Sequence, residues 1–311
     1  MGKLLLKRVL YLIPILLGVS IITFILVHLV PVDPAQAYLT LANIPPTDKA
    51  IAATRTMLGL DKPLFVQYVT WLGRVLRLDF GISYATREPV LNELLYYLPA
   101  TIKLTGASLL WVLAISLPLG FFSSLYKDSV LDHCCRLFAF IGASMPSFWV
   151  GFLLIYFFAL KLNLLPVMGM GSIWHLILPS FTLALSYAAT YTRLLRTSLL
   201  ENLDQTFVLY ARARGIRERL VMGRHVLKNA LLPVMTAFGM SLGYMLAGSV
   251  IVENVFAWPG VGRYVISSIF NRDYPVIQCY ALLTTLIFIA VNLLVDIAYG
   301  LIDPRIRMDG S

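Results

Sequence analysis

His133, Cys134 and Cys135 stand side by side in this sequence, and an imidazole with two thiols is a donor set that suits nickel or zinc. Three consecutive residues rarely turn their donors toward one ion, so ordinary reduced cysteines beside a histidine are the simpler reading. Met168 and Met170, in VMGMG, offer a thioether pair to a passing soft-metal complex, or else plain gap-filling. Asp296 is the one acid deep in an apolar run, which marks it for a translocation path. Asn292, one turn earlier, makes a structural hydrogen-bonded pair the competing reading. His28 lies near the end of an apolar run and reads as solvated. The four histidines are scattered and no HExxH occurs, so no metal site is predicted. The only Gly-Lys is at residues 2–3, which leaves no GxxxxGK[ST] loop to cradle ATP phosphates. With no catalytic constellation, the chain reads as a non-enzyme that binds no cofactor of its own.

The elements that must position these residues are mostly apolar. Of 311 residues, 59% are hydrophobic and 13% charged, and mean hydropathy is +0.80. Soluble domains carry about 25% charged residues, so too little charge is present to cover a water-facing surface. Apolar runs at 9–30, 99–126, 137–160, 176–198, 230–252 and 276–302 are each long enough to cross a hydrocarbon core of about 30 Å. The expected fold is all-α, a polytopic membrane protein of six transmembrane helices. The first run follows GKLLLKR and resembles a secretory leader, but it is too long and lacks a small-residue cleavage site, so it reads as a retained span. Three cysteines without framework spacing imply no disulfide scaffold; Cys134 and Cys135 read as part of a short loop. Gly239, Gly243 and Ala247 recur every four residues on the fifth run. Such a row packs helices closely, on this chain or on a second subunit enclosing the path.

Charge sets the expected orientation. The N-terminal end, the 127–136 loop, the 193–228 stretch and the tail hold fifteen of the Lys and Arg residues, the opposite side nine, six of them in the long 31–98 segment. Long segments weigh little in the positive-inside rule, so both termini and the 193–228 stretch are expected in the cytoplasm. The net charge of +9 then belongs to cytoplasmic loops rather than to nucleic-acid binding. The expected organisation is 1–30 for the N-terminal end and first span, 31–98 for an extracytoplasmic helical segment, 99–302 for a five-helix core containing a loop at 199–229, and 303–311 for a tail. Within 31–98, Thr47 can cap a helix ending at Gly59. A second helix is expected with Asp61 as N-cap, Pro63 in its first turn, and Tyr68, Trp71, Leu72, Val75 and Leu76 on one face. That face suits either the membrane surface or a soluble partner.

The most basic stretch lies between Arg212 and Lys228, with six Lys or Arg and one acid, Glu218. Orientation alone, attraction to anionic lipid and docking of a cytoplasmic protein all compete to explain it. In YARARG, residues 210–215, Ala211 and Ala213 alternate with Arg212 and Arg214 before Gly215 stops the helix. Small side chains admit a partner surface close to the backbone, whereas a lipid-bound helix would carry bulky apolar residues throughout one face. Docking is the favoured reading.

These residues resemble the cytoplasmic EAA loop of ABC importer membrane subunits. The family pattern has an acid followed by Ala-Ala, a glycine three residues on, and Leu-Pro downstream. Here Ala211 and Ala213 flank an arginine, Gly215 matches, Leu232-Pro233 closes the loop, and Leu209-Tyr210 stands where the acid would be. The missing acid and the eighteen-residue step from Gly215 to Pro233 are features of the dipeptide, oligopeptide and nickel branch. LLKRVLYLIPILLGVSIITFILVHLVPVDPA, GLDKPLFVQYVTWLGRVLRLDFGIS, ASMPSFW and VENVFAWPGVGRYVISSIFNRDYPVIQ resemble that branch in order along the chain. RTMLGLD, LLPVMGMG and NRDYPVIQC look most like its nickel permease, the first of two membrane subunits.

The resemblance implies a type I ABC importer permease fold with a long extracytoplasmic segment after the first helix, in a bacterial inner membrane. It implies that Tyr210, Ala211, Arg212, Ala213, Arg214 and Gly215 form a coupling helix seated in an ATPase subunit, with Arg212 and Arg214 fixing it in an acidic or carbonyl-rich socket. The implied partners are a second permease subunit, two ATP-binding subunits carrying ATP and Mg, and an extracytoplasmic substrate-binding protein. The expected cargo is nickel or a metal chelate, with dipeptides or oligopeptides as the alternative. A self-sufficient secondary transporter is the more distant rival, and no internal repeat supports it.

Overall fold

The computed structural model describes residues 2–302, with side chains from 11 onward except at 236, 248, 296 and 298–302. The helices run α1 (Gly2–Leu29), α2 (Pro34–Leu41), α3 (Asp48–Leu58), α4 (Leu64–Val75), α5 (Val90–Leu125), α6 (Val130–Ser144), α7 (Ser147–Leu154), α8 (Ile173–Leu203), α9 (Thr206–Ala213), α10 (Glu218–Leu220), α11 (Leu227–Val255), α12 (Val261–Asn271) and α13 (Tyr274–Ile302). Two π-helical segments, Ile155–Lys161 and Val221–Val226, continue α7 and lead into α11. Among the described residues five helices are long and apolar enough to cross a membrane, or six crossings if the bent pair α6 and α7 counts as one. The chain forms two compact units: Met1–Thr101 with Pro259–Ser311, and Ile102–Trp258.

In the first unit, local signals fix the short helices. The Thr47 hydroxyl accepts the Ala50 N–H at 3.3 Å and Gly59 closes α3 at φ 71°, as its sequence predicts; such a cap contributes about 1 kcal/mol. Asp33 caps α2 through the Ala35 N–H at 2.9 Å and pairs with Arg55 at 3.0 Å. The start of α4 differs from expectation. Pro63 itself is the N-cap residue and Asp61 makes no cap, because the chain at 61–63 is still in the turn that leaves α3. The apolar face of α4 is also not open to a membrane surface or a partner. Tyr68, Trp71, Leu72 and Val75 pack on Phe24 of α1 and Leu282 of α13, while Leu76 points away and is 78% exposed. A deeper cluster, Val90, Leu94, Val261, Val276 and Cys279, ties α5, α12 and α13 together. Beside it the buried Asp273 carboxylate accepts the Ser83 hydroxyl at 2.5 Å and the Ala85 N–H at 3.1 Å.

In the second unit α8 is the central strut, packed by α6, α7 and α11. Small residues let the backbones close. Ala184, Ala188 and Ala189 are fully buried on α8, and a Cβ on Gly142 of α6 would lie 2.9 Å from the Ala189 Cβ. The run at 137–160 is not one straight span. It begins earlier, at Val130, and breaks at Met145-Pro146, where the axes of the two helices differ by 107°. Pro146 has no N–H to extend α6 and holds Met145 in extended conformation, φ −78° and ψ 130°. Pro179 and Pro233, by contrast, stay inside α8 and α11. Cys134 and Cys135 lie in α6 rather than in a loop, because Ser129 caps the helix at the Asp132 N–H and starts it four residues before them.

Gly120 of α5 sits at the tightest of these crossings. An added Cβ would be 2.9 Å from the Leu195 Cβ and 3.0 Å from the Thr192 carbonyl oxygen. Alanine favours a helix over glycine by about 1 kcal/mol, yet a backbone oxygen cannot swing aside, so overpacking at about 1–3 kcal/mol wins. Gly120→Ala is therefore expected to lower the thermal midpoint of the detergent-solubilised protein, and a rise would contradict this packing.

Candidate functional site

The basic loop folds as a short helix, α9, packed on the π-helical segment Val221–Val226, which itself touches α8 and α11. Val208 and Ala211 are the buried face of α9, and Val221, Met222 and Val226 of the π segment are buried opposite them. Those apolar residues seat the loop on the rest of the unit. The side chain hydroxyl of Ser198 in α8 donates to the Ala230 carbonyl at 3.0 Å, holding the two long helices together just above. Phe207, Ile216 and Leu227 are half-buried, and most of the remaining loop residues face outward. Tyr210 is 73% and Leu209 59% exposed, and Arg212, Ala213, Arg214 and Gly215 are exposed beside them.

Gly215 ends α9 in the left-handed region at φ 72°. Its N–H donates to the Arg212 carbonyl at 2.9 Å, and the Ile216 N–H donates to the Ala211 carbonyl at 3.2 Å. The second bond is the 6→1 link of a Schellman ending, which only a residue free to take positive φ permits cheaply. Arg212 does not stand free for a socket. Its Nε and Nη2 donate to the two Glu218 oxygens at 3.1 and 2.6 Å, a bidentate clasp between α9 and α10. Exposed as both side chains are, the clasp contributes at most about 1 kcal/mol to stability, and it keeps the Arg212 guanidinium charged. Arg214 makes no ion pair among the described residues. Thus five of the six predicted loop residues, Tyr210, Arg212, Ala213, Arg214 and Gly215, are exposed, Ala211 is buried beneath them, and the charge of Arg212 is balanced internally.

The other predicted site residues do not converge. Met168 and Met170 lie exposed in the 162–172 connection, which is held down by the Gly169 N–H donating to the Phe256 carbonyl at 2.8 Å. Asp296 falls within α13, and its side chain lies outside the described residues. Gly239 and Gly243 are covered within the chain, whereas Ala247 is exposed. His133 directs Nδ1 to the Ser129 carbonyl at 2.8 Å, Cys134 is exposed and Cys135 buried, so the triplet points three ways. Among the described residues no group of three or more His, Cys, Asp or Glu is placed to hold a metal ion. His28 is not simply solvated: Nδ1 lies 2.8 Å from the Phe24 carbonyl oxygen and Nε2 3.1 Å from Gln67 Oε1.

Besides Asp273 of the first unit, two acids with no role expected from the sequence are buried in the second unit. Asp132, next to the conspicuous His-Cys-Cys, is fully buried and receives Arg196 Nε and Nη2 at 2.7 Å each, Ser123 Oγ at 2.5 Å and the Asp128 N–H at 3.0 Å. Glu253 of α11 is also fully buried and accepts the Ser249 hydroxyl at 3.0 Å. Its signal was available: Ser249 and Glu253 are four apart, one helical turn, in a run that the apolar pattern ends at 252.

The geometry is that of a protein with five or six apolar helices of membrane-crossing length and an exposed basic loop among its described residues, and the sequence as a whole can be placed among known proteins. The binding-protein-dependent transport system inner membrane component family matches residues 116–308, and the N-terminal region of such membrane components matches residues 1–105. The chain belongs to this family. It is a multi-pass inner membrane permease subunit of an ABC importer. It is 40% identical over 302 residues to the glutathione transport system permease protein GsiC of Salmonella paratyphi A, covering 97% of this chain and 98% of that protein. The GsiC of Escherichia coli K12 is 39% identical over 301 residues, 97% of each chain. Among solved structures, the inward-facing MetNI methionine ABC transporter superposes with a TM-score of 0.56 at 17% identity, over 68% of this chain and 97% of that one; a second crystal form of it gives 0.57. That likeness shows the type I ABC importer permease fold.

Proposed function

We propose that this chain forms half of the translocation path of an importer for short peptides of the glutathione class, rather than for nickel or a metal chelate. The observation that carries this reading is the 39–40% identity, over nearly the whole chain, to permeases named for glutathione, a tripeptide. The peptide alternative thereby displaces the nickel reading, which rested on a few short segments. The scattered soft donors around Cys134, Met168 and Met170 add nothing in favour of a metal.

In this reading ATP and Mg stay on two partner ATPases, and a second permease subunit closes the path, packing in part where Ala247 is exposed. The 209–215 surface rests in a cleft of an ATPase, with Leu209 and Tyr210 as its apolar anchors and Arg214 as its free charge. ATP-driven closure of the ATPases moves the loop, and the loop moves α8 and α11 on which it is seated, a two-state coupling between distant sites. Both termini lie in the cytoplasm, as the fifteen-to-nine charge asymmetry supports.

Uptake in cells tests the cargo. Deleting the gene is expected to abolish import of radiolabelled glutathione or of short peptides and to leave nickel-histidine uptake unchanged. Loss of nickel-histidine uptake with peptide import intact would reverse the assignment.

A further inference from the structure

Within the first unit, α1, α3, α4 and the 79–87 loop enclose a cavity of about 590 Å³, well inside the range of about 300–1,000 Å³ typical of small-molecule sites. One wall is aromatic, built from Trp71, Phe80 and Tyr274. The other carries Lys62, Arg74 and Arg87 against one acid, Asp79, whose carboxylate already accepts the Gly81 N–H at 3.0 Å. Arg87 is positioned by the Tyr38 ring, 4.1 Å beneath its guanidinium. Among the described residues, Lys62 and Arg74 have no side-chain hydrogen bond or ion pair.

The Gln67 amide nitrogen donates to the Leu60 and Lys62 carbonyls at 3.2 and 2.8 Å, which turns its oxygen toward His28 Nε2 at 3.1 Å. Tyr84, also on the wall, is held as a neutral donor: burial first, then the negative charge of Asp273, push its phenol well above the ordinary range. A half-open site with surplus positive charge and a flat apolar wall repels a bare divalent cation and attracts an oxyanion attached to apolar substance.

The geometry points to a binding site for a carboxylate-bearing small molecule on the permease itself, with Arg74 and Lys62 taking the carboxylate and Trp71 and Phe80 the apolar remainder. The identification of that molecule with a short peptide rests on the proposed function; the site itself does not. No role of this kind belongs to the loop at 209–215, which lies in the other unit.

The test is binding of glutathione to the assembled transporter in lipid nanodiscs, without binding protein or ATP. Saturable binding is expected. The double variant Lys62→Gln/Arg74→Gln should weaken it about tenfold, as loss of charge-assisted hydrogen bonds does, while the thermal midpoint of the assembled transporter stays at its wild-type value. Arg74→Lys should retain most of it. Absent binding, or binding indifferent to the double variant, overturns the site. A lipid phosphate is the competing oxyanion: phosphatidylglycerol retained in native mass spectra by wild type but not by the double variant, with no glutathione bound, overturns the carboxylate assignment. Normal peptide uptake by cells with unaltered binding in the double variant would sink the site alone. Glutathione bound in the cavity with no peptide uptake by cells would sink the proposed cargo and spare the site.

Discussion

Gly215→Asp is expected to cut uptake to below about a tenth of wild type, a loss of ~1.4 kcal/mol or more in the coupled step, while the amount of protein in the membrane stays unchanged. Two observations separate the effects. Nothing lies within 4 Å of where a Cβ on Gly215 would stand, so the substitution meets no steric clash. The backbone, however, is at φ 72°, where an L-residue other than Asn or Asp costs roughly 1–2 kcal/mol. Aspartate tolerates that conformation better than most residues, so its main effect is a negative charge between Arg214 and the partner cleft. Gly215→Asn keeps the shape and adds no charge; it should retain most uptake. Gly215→Val should fail for the other reason, by unwinding the end of α9. Transport assays on the three variants, with immunoblots of membranes, decide the matter: full activity in Gly215→Asp would remove the loop from the coupling path.

Asp132→Ala should have the largest effect on stability. The carboxylate is fully buried, clasped bidentately by Arg196, and further bonded by Ser123 and the Asp128 N–H. Removing it leaves the Arg196 side chain, only 16% exposed, without its counter-charge, a change that costs up to about 3–5 kcal/mol. Little protein should reach the membrane, and what does should melt well below wild type in detergent. Because the penalty comes from the stranded charge, Asp132→Leu with Arg196→Met should recover much of it, and a double-mutant cycle measures the coupling. Equal stability of Asp132→Ala and wild type would mean that the clasp does not bind α6 to α8.

How far such features are legible in a sequence depends on their range. Thr47 and Gly59 mark α3 through bonds spanning three to five residues, and both were readable. Gly215 was readable for the same reason, since its chemistry is confined to its own turn. The apolar face of α4 was visible in its spacing, but its occupants, Phe24 and Leu282, come from elements remote in sequence. Asp132 escaped notice because Arg196 is 64 residues away and had been counted only as one more positive charge. Pro146 was plain in the sequence, yet Pro179 and Pro233 show that a proline alone does not distinguish a tolerated kink from a break. The difference at 146 lies in Met145, which left the helical region altogether.

That break bears on how the protein is made. α6 has 15 residues, and α7 with its π continuation another 15, so each arm reaches at most about 22 Å along its axis. Neither arm is long enough to be threaded through the bilayer by itself. The ribosome therefore delivers the 130–161 segment before the scaffold that can hold it exists, and α8 must emerge before the elbow settles into its final place.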